Sequence, residues 1–316
     1  MWKYIVKRLL WSIVIMVGAG IIIFLLTYFT PGDPAAQLIG SDASAADLAA
    51  LRAKLGIDKP FLQQLVTFLY NSFIKWDWGT SWTYNEPVMS TILSRLPRTA
   101  IIGFGQMILT VAIGIPLGIF AARHQGHWQD YGVLGVCMVL VSLPDMWVAL
   151  MFVLLFSLQL HWLPAYGIGG PQYYILPIVS GVMGGIAGQA RLMRSGMLEV
   201  IHSDFVTTAR AKGQSEDLIV RKHILPNALM PVITMLGGSL ALVVCGSAIV
   251  ERLFSIPGVG LYLLDGISYR DYPIIRGCTL FFATFSALVY LLLDLVYAWI
   301  DPRIKAQYTS GKKSGR

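Results

Sequence analysis

Charge is what this 316-residue sequence has least of: 13% of its residues are Asp, Glu, Lys or Arg, against 56% that are hydrophobic. A soluble domain carries about 25% charge. A water-covered surface cannot be assembled from so small a supply, so most of the exterior must face lipid. Cysteine is scarce too. Cys137, Cys245 and Cys278 are odd in number, lack any CxxC spacing and lie in or beside apolar runs. That argues against a disulfide frame or a zinc site and for small hydrophobes at helix contacts. The five histidines, His124, His127, His161, His202 and His223, make no H-E-x-x-H or comparable group, so a membrane enzyme has no cluster to work with. No metal site, catalytic residue or cofactor of the chain's own is expected. A phosphate-binding GxxxxGK loop is missing as well. Gly311-Lys312-Lys313 lies in a polar tail without strand–helix context, so any ATP and magnesium must be held elsewhere.

What is present is a set of six apolar runs: Leu9–Phe29, Thr99–Ala122, Tyr131–Ser157, Tyr174–Met193, Asn227–Val250 and Gly277–Ile300. The first would reach roughly 31 Å as a helix, enough for a bilayer core. It follows Lys3, Lys7 and Arg8 as a signal sequence does, but no small-residue cleavage site follows, and it is too long for a signal core. A retained anchor is expected. The fold class is therefore an all-α polytopic membrane protein with six transmembrane helices. Gly114 with Gly118, Gly181 with Gly185 and Gly184 with Gly188 are pairs that let helices approach closely in lipid. Pro116, Pro144, Pro177 and Pro231 are expected to kink their helices.

The net charge of +7 comes from 24 Lys and Arg against 17 Asp and Glu. A nucleic-acid partner would need a basic stripe on a folded surface, and the cations sit instead at the ends of spans. With the N-terminus inside, fifteen of the 24 basic residues fall on the inner side, Arg123, Arg191, Arg194, Arg210 and Lys212 among them. Arg95 and Arg98 run against the trend. The balance places both termini in the cytoplasm.

Residues 31–98 form a long segment expected outside. Ser44 can cap a helix ending at Gly56, with Leu48, Leu51 and Leu55 on one face. Pro60 suits the first turn of a second helix bearing Phe61, Leu65, Leu69 and Phe73. Trp76, Trp78 and Trp82 then read either as interfacial anchors or as a docking surface for an external binding protein.

Between spans four and five, residues 195–226 carry the most information. Ser203 is placed to cap a short helix that has Asp204 in its first turn, Arg210 and Lys212 in its last, and Gly213 as its stop. Ser215 caps a second helix, opened by Glu216 and Asp217 and stopped by Pro226. Phe205, Thr208 and Ala209 are expected on one exposed side. By itself this is an amphipathic connector, at home on anionic lipid.

The wording of the loop goes further. Ala209, Gly213 and Ile224-Leu225-Pro226 resemble the loop signature of bacterial ABC importer permeases, with Thr207 or Thr208 where that signature has Glu. The stretch Asp204-Phe205-Val206-Thr207-Thr208-Ala209-Arg210-Ala211-Lys212-Gly213 is similar to the version in the dipeptide and oligopeptide branch, first permease subunit. Six further motifs match that branch in order: Pro31-Gly32-Asp33-Pro34, Asp77-Trp78-Gly79-Thr80-Ser81, Arg95-Leu96-Pro97-Arg98-Thr99, Phe254 to Gly260, Arg270-Asp271-Tyr272-Pro273, and Asp301-Pro302-Arg303.

The resemblance implies a type I importer permease in the bacterial inner membrane. Its parts would be an N-terminus and first helix (1–30), an extracytoplasmic segment (31–98), a core of helices two to six (99–300) and a cytoplasmic tail (301–316). It implies four kinds of partner: a second homologous permease, two cytoplasmic ATPase subunits, an extracytoplasmic binding protein and a peptide cargo. Relatives of this branch also carry glutathione, nickel or metal chelates. The short helix would dock on an ATPase subunit through Asp204, Phe205, Thr208, Ala209, Arg210, Ala211, Lys212 and Gly213. Ionisable residues in spans are costly and single out candidates for the translocation path. Asp145 follows Pro144 in span three and could meet a peptide amine or serve an inter-helix bond. Glu251 and Arg252 mark the outer end of span five, and Asp294 near the inner end of span six reads as structural. The rival reading is a proton-coupled secondary transporter using Asp145 and Asp294, although the halves show no inverted repeat.

Overall fold

Helix follows helix through the computed structural model, which describes residues 2–39, 44–245 and 248–300. The tail at 301–316, with Asp301-Pro302-Arg303 and Gly311-Lys312-Lys313, lies outside the described residues. In chain order the helices are α1 (Trp2–Phe29), α2 (Pro34–Ile39), α3 (Ala45–Leu55), α4 (Phe61–Phe73), α5 (Val88–Arg123), α6 (Trp128–Ser142), α7 (Asp145–Phe152) and α8 (Ile175–Ser180). There follow α9 (Met183–Ile201), α10 (Asp204–Ala211), α11 (Glu216–Ile219), α12 (Leu225–Val243), α13 (Ala248–Leu253), α14 (Val259–Ser268) and α15 (Tyr272–Ile300). Among the described residues there is no strand, and an isolated antiparallel bridge joins Thr80 to Pro87.

Four helical runs are long and apolar enough to cross a bilayer: Val6–Phe29, Val88–Arg123, Glu216–Val243 and Tyr272–Leu295. Two more spans are broken pairs, Trp128–Ser142 with Asp145–Gln159, bent by 93°, and Pro171–Ser180 with Met183–Ile201, bent by 56°. Counting each bent pair as one crossing gives up to six spans, and the third and fourth break beside Pro144 and Pro177, where kinks are expected. The first break has a local cause. Leu143 precedes Pro144 and is held extended at ψ 125°, as the proline ring demands of its predecessor. At the second break, Gln106 Nε2 donates to the Pro177 carbonyl at 3.1 Å, the acceptor that the amide four residues on takes in an unbroken helix.

The chain divides into two compact units, residues 1–97 with 257–316 and residues 98–256, the boundary falling inside α5. In the first unit α1 packs along α15 and against α4. Phe24, fully buried, stacks on Phe68 and tilts against Phe61, at ring distances of 5.6 and 5.8 Å. Arg276 lies 4.6 Å above the Phe24 ring, and its Nε donates to Thr27 Oγ1 at 2.8 Å. The α4 face bearing Phe61 and Phe68 thus packs on protein, while Leu62, Val66 and Tyr70 on its other side are exposed. The α3 helix starts as its sequence dictates: Ser44 Oγ accepts from the Asp47 amide, and Gly56 closes the helix at φ 70°. Trp78 is 8% exposed in a core with Val88, Ile92, Tyr262 and Ile274, and Trp82 rests on Tyr272. Of the three tryptophans expected at an interface, Trp76 alone is well exposed.

In the second unit α9 is the central post, packed on α6 and α12. The glycines of α5 permit the approach to it. A Cβ at Gly118 would lie 2.5 Å from the Ala190 carbonyl oxygen, and one at Gly114 2.7 Å from Gln189 Cβ. Cys137 is buried beside Ala187 and Ala190, a helix contact as its surroundings in the sequence suggest. Pro226 does not stop α11. A π-helical stretch, Val220–Ile224, carries α11 into α12, and the Leu225 amide reaches five residues back to Val220. The wider turn accommodates a proline that would clash with an α-helical carbonyl.

Candidate functional site: a short helix below the bundle and a polar cleft within it

The α10 helix is amphipathic on a small scale. Val206 and Ala209, three residues apart, are 0% and 5% exposed and join a core with Met193, Met197, Ile219, Ile224 and Ala228. Phe205 is 46% exposed, and Asp204, Thr208, Arg210, Ala211, Lys212 and Gly213 also face outward. The expected grouping of Phe205, Thr208 and Ala209 on one side therefore splits: Ala209 belongs to the inner face, because a one-turn offset from Val206 turns it toward α9. Ser203 occupies the N-cap position with extended backbone, but its hydroxyl donates back to the Val200 carbonyl at 2.6 Å rather than capping. Ser215 likewise holds the cap position of α11 without a side-chain cap bond.

Several bonds fix this helix pair. Gly213 takes φ 73°, the left-handed conformation that glycine adopts without strain, and reverses the chain. Arg210 Nε donates to Glu216 Oε1 at 2.7 Å across that turn, and His223 meets Gln214 at 3.0 Å. Arg123, at the last residue of α5, reaches Asp217 at 2.6 Å. Deeper in, Arg194 on α9 grips Asp130 on α6 with two bonds of 2.6 Å, while the Gly126 amide donates to the same carboxylate. Asp130 is 1% exposed. A buried carboxylate of this kind holds only with its partner in place. The α10 helix is therefore tied to α9, α11 and α12 through Val206 and Ala209, beside the buried Asp130–Arg194 pair.

Asp145, first residue of α7, faces a cleft of about 420 Å³ lined also by Gln106, Thr110, Gln189 and Ser239, with Met107 and Met235 as apolar walls. Glu251 is not part of it. Its side chain is fully buried and accepts from Thr99 Oγ1 at 2.7 Å, a bond between α13 and α5. Asp294 pairs with Arg8 at 2.8 Å, tying α15 to α1. Both carboxylates have local structural work.

The first unit has a polar lock that sequence reasoning missed. Asp271, fully buried, accepts from Ser81 Oγ at 2.7 Å and from the Thr83 amide at 2.8 Å. Two motifs 190 residues apart thus meet at one carboxylate. The motifs were visible in the sequence, but their pairing was not. Nearby, Asp33 and Arg52 join α2 to α3, with Arg52 Nε 2.8 Å from the carboxylate. Burial pushes the Asp33 carboxyl up, but the Arg52 guanidinium and the amides of Ala35 and Ala36 outweigh it and hold the group below the usual aspartate range.

Membrane spans, some of them broken, around a polar cleft, with a short helix packed between the ends of two spans, define a multi-pass membrane transport subunit. The chain belongs to the binding-protein-dependent transport system inner membrane component family, which matches residues 114–306, and the N-terminal model of the same transport systems matches residues 1–103. A dipeptide transport system permease protein of Alkalihalophilus pseudofirmus is 36% identical, over 96% of this chain and 100% of the relative. A glutathione transport system permease protein of Escherichia coli strain K12 is 35% identical, over 96% of this chain and 99% of its own length. Among solved structures, the inward-facing methionine ABC transporter MetNI shares the fold with a TM-score of 0.50 and 20% identity, over 69% of this chain and 96% of that one.

Proposed function

We propose that this chain is the pore subunit of an ATP-binding-cassette importer that moves di- or oligopeptides across the cytoplasmic membrane, driven by ATP hydrolysed on partner subunits. The observation that carries the reading is the α10 helix: inner face locked into the bundle by Val206 and Ala209, outer face offering Phe205, Thr208, Arg210 and Lys212. A free loop would absorb a push. A helix continuous with the core of α9 and α12 passes it on.

In this reading α10 lies in the cytoplasm with both termini, and residues 31–98 lie outside, as the distribution of Lys and Arg supports. Two ATPase subunits dock on α10 and on its counterpart in a second, homologous permease. Their closure on ATP displaces both helices, and the bundle opens toward a loaded extracytoplasmic binding protein. Gly213 sets the angle at which α10 leaves the turn, and Asp145 lies on the translocation path. Peptide cargo is supported by the 36% identical dipeptide permease. The glutathione permease favours a second reading in which the cargo is that particular tripeptide.

The test is reconstitution in liposomes. The complete importer should take up labelled dialanine or tetra-alanine with ATP and loaded binding protein, and this chain alone should move neither. A cysteine at Thr208 should cross-link to an ATPase subunit. Uptake by the chain alone, or uptake that collapses with the proton gradient and ignores ATP, refutes the proposal.

A further inference from the structure

We propose that the cleft between α5, α7, α9 and α12 is a cargo subsite that reads the amino end of a peptide, Asp145 taking the ammonium and Gln189 the first carbonyl oxygen. The inference rests on the peptide-cargo reading above and adds to it the residues and the parts of the cargo that meet.

Two side chains carry it. Gln189 is 1% exposed, its stem is held against Gly114, and its amide nitrogen is buried with no hydrogen-bond partner among the described residues. A buried polar group left unpaired costs about 1–3 kcal/mol. Such a group persists where a ligand supplies the missing acceptor. Gln106, the other amide on the cleft wall, is already committed to the Pro177 carbonyl. Gln189 therefore has the donor to offer. Asp145 sits on the same cleft, with its side chain exposed and without an ion-pair or hydrogen-bond partner among the described residues. A carboxylate kept unpaired inside a membrane bundle calls for a cation.

The rest of the cleft fits cargo with a constant backbone and varied side chains. Its volume of about 420 Å³ is in the range of small-molecule sites and suits a dipeptide or the first residues of a longer chain. Met107 and Met235 supply walls that reshape around different apolar groups. Thr110 adds a hydroxyl that can donate or accept, and Ser239, which donates to the Met235 carbonyl at 3.1 Å, adds an acceptor. An anion, a fixed amide donor and pliable walls together match the amino end of an unmodified peptide.

The experiment uses the whole importer, with its partner permease, ATPase subunits and binding protein, in proteoliposomes. Gln189→Met keeps the volume and removes the amide. Asp145→Asn removes the charge, and Asp145→Glu keeps it. With dialanine at saturating binding protein, Gln189→Met and Asp145→Asn should each slow uptake about tenfold, Asp145→Glu should recover most of the rate, and the binding protein's own affinity for dialanine should not change. In wild-type importer, alanyl-photoleucine irradiated during turnover should label the segments bearing Met107 or Met235. Uptake within twofold of wild type in both Gln189→Met and Asp145→Asn overturns the subsite, as does labelling confined to segments off the cleft. If Gln189→Met fails to assemble with its partners, the labelling of wild type decides. Wild-type importer that takes up no peptide at all overturns the cargo reading and this inference with it, whereas peptide uptake blind to both residues overturns the inference alone.

Discussion

Replacing Val206 by alanine asks whether α10 works as a lever because it is held. Val206 is fully buried, and the substitution removes two methyl groups from a packed site. At about 0.8 kcal/mol for each buried carbon, plus a cavity that the neighbours only partly fill, the loss is about 2 kcal/mol. That energy holds α10 against the core of α9, α11 and α12, so local opening of residues 204–213 should become about 25-fold more frequent, tenfold for every 1.4 kcal/mol. Hydrogen exchange of the 206–213 amides in the assembled importer reads this directly. The same variant should still bind its ATPase subunits while transporting less peptide for each ATP hydrolysed. Phe205→Ala is the control with the opposite signature. Phe205 faces outward, so exchange should stay near wild type while the ATPase subunits are lost from the purified complex. If Val206→Ala leaves exchange within twofold of wild type, or Phe205→Ala loosens the helix as much, the division into an inner anchor and an outer docking face is wrong.

Three further outcomes follow from carboxylates that the fold holds in place. Asp271→Ala leaves Ser81 Oγ and the Thr83 amide without their acceptor and should destabilise the 80–87 loop by about 2–3 kcal/mol, read as faster proteolysis there. Arg194→Met strands the Asp130 carboxylate at a cost of about 3–5 kcal/mol and should lower the yield of assembled complex; Arg194→Met with Asp130→Leu should recover much of it. Acid should release α2 from α3. The Asp33 carboxyl is held low in the fold, so its pairing with Arg52 contributes fully above the ordinary aspartate value and is lost as pH falls through the lower, folded one. Proteolysis between Asp33 and Ala45 should rise over that acid window, and Arg52→Ala should show the raised rate already at neutral pH. A flat profile in both proteins contradicts the assignment.

What the sequence made legible was whatever depends on near neighbours. Span positions follow from runs of apolar residues, because a bilayer demands about 20 of them in a row. The start and stop of α3 are written in Ser44 and Gly56, and the end of α10 in Gly213. Local signals misled where a second element competed for the same group. Ser203 stands where a cap belongs, but the Val200 carbonyl takes its hydroxyl. Pro226 looks like a stop, but packing of Ile224 and Ala228 into one core continues the helix through a π turn instead. Ala209 looked exposed in a polar loop because nothing nearby announces Met193 and Ile219 above it.

The charged residues make the same point more sharply. A lone acid in an apolar run looks like a candidate for cargo, and on that ground Asp145 and Glu251 stand out while Asp294 reads as structural. Their fates depend on partners far along the chain. Thr99 is 152 residues from Glu251, and Arg8 lies at the opposite end of the sequence from Asp294. Each pair closes a bond between two helices. Asp145 is left with no such partner among the described residues, and so is Gln189, a neutral residue that no charge-based search would have raised. Function in this bundle is therefore better sought among polar groups the fold leaves unpaired than among the groups that are merely charged. The two criteria pick different residues: Glu251 and Asp294 have structural partners, Asp145 has none among the described residues, and Gln189 is added.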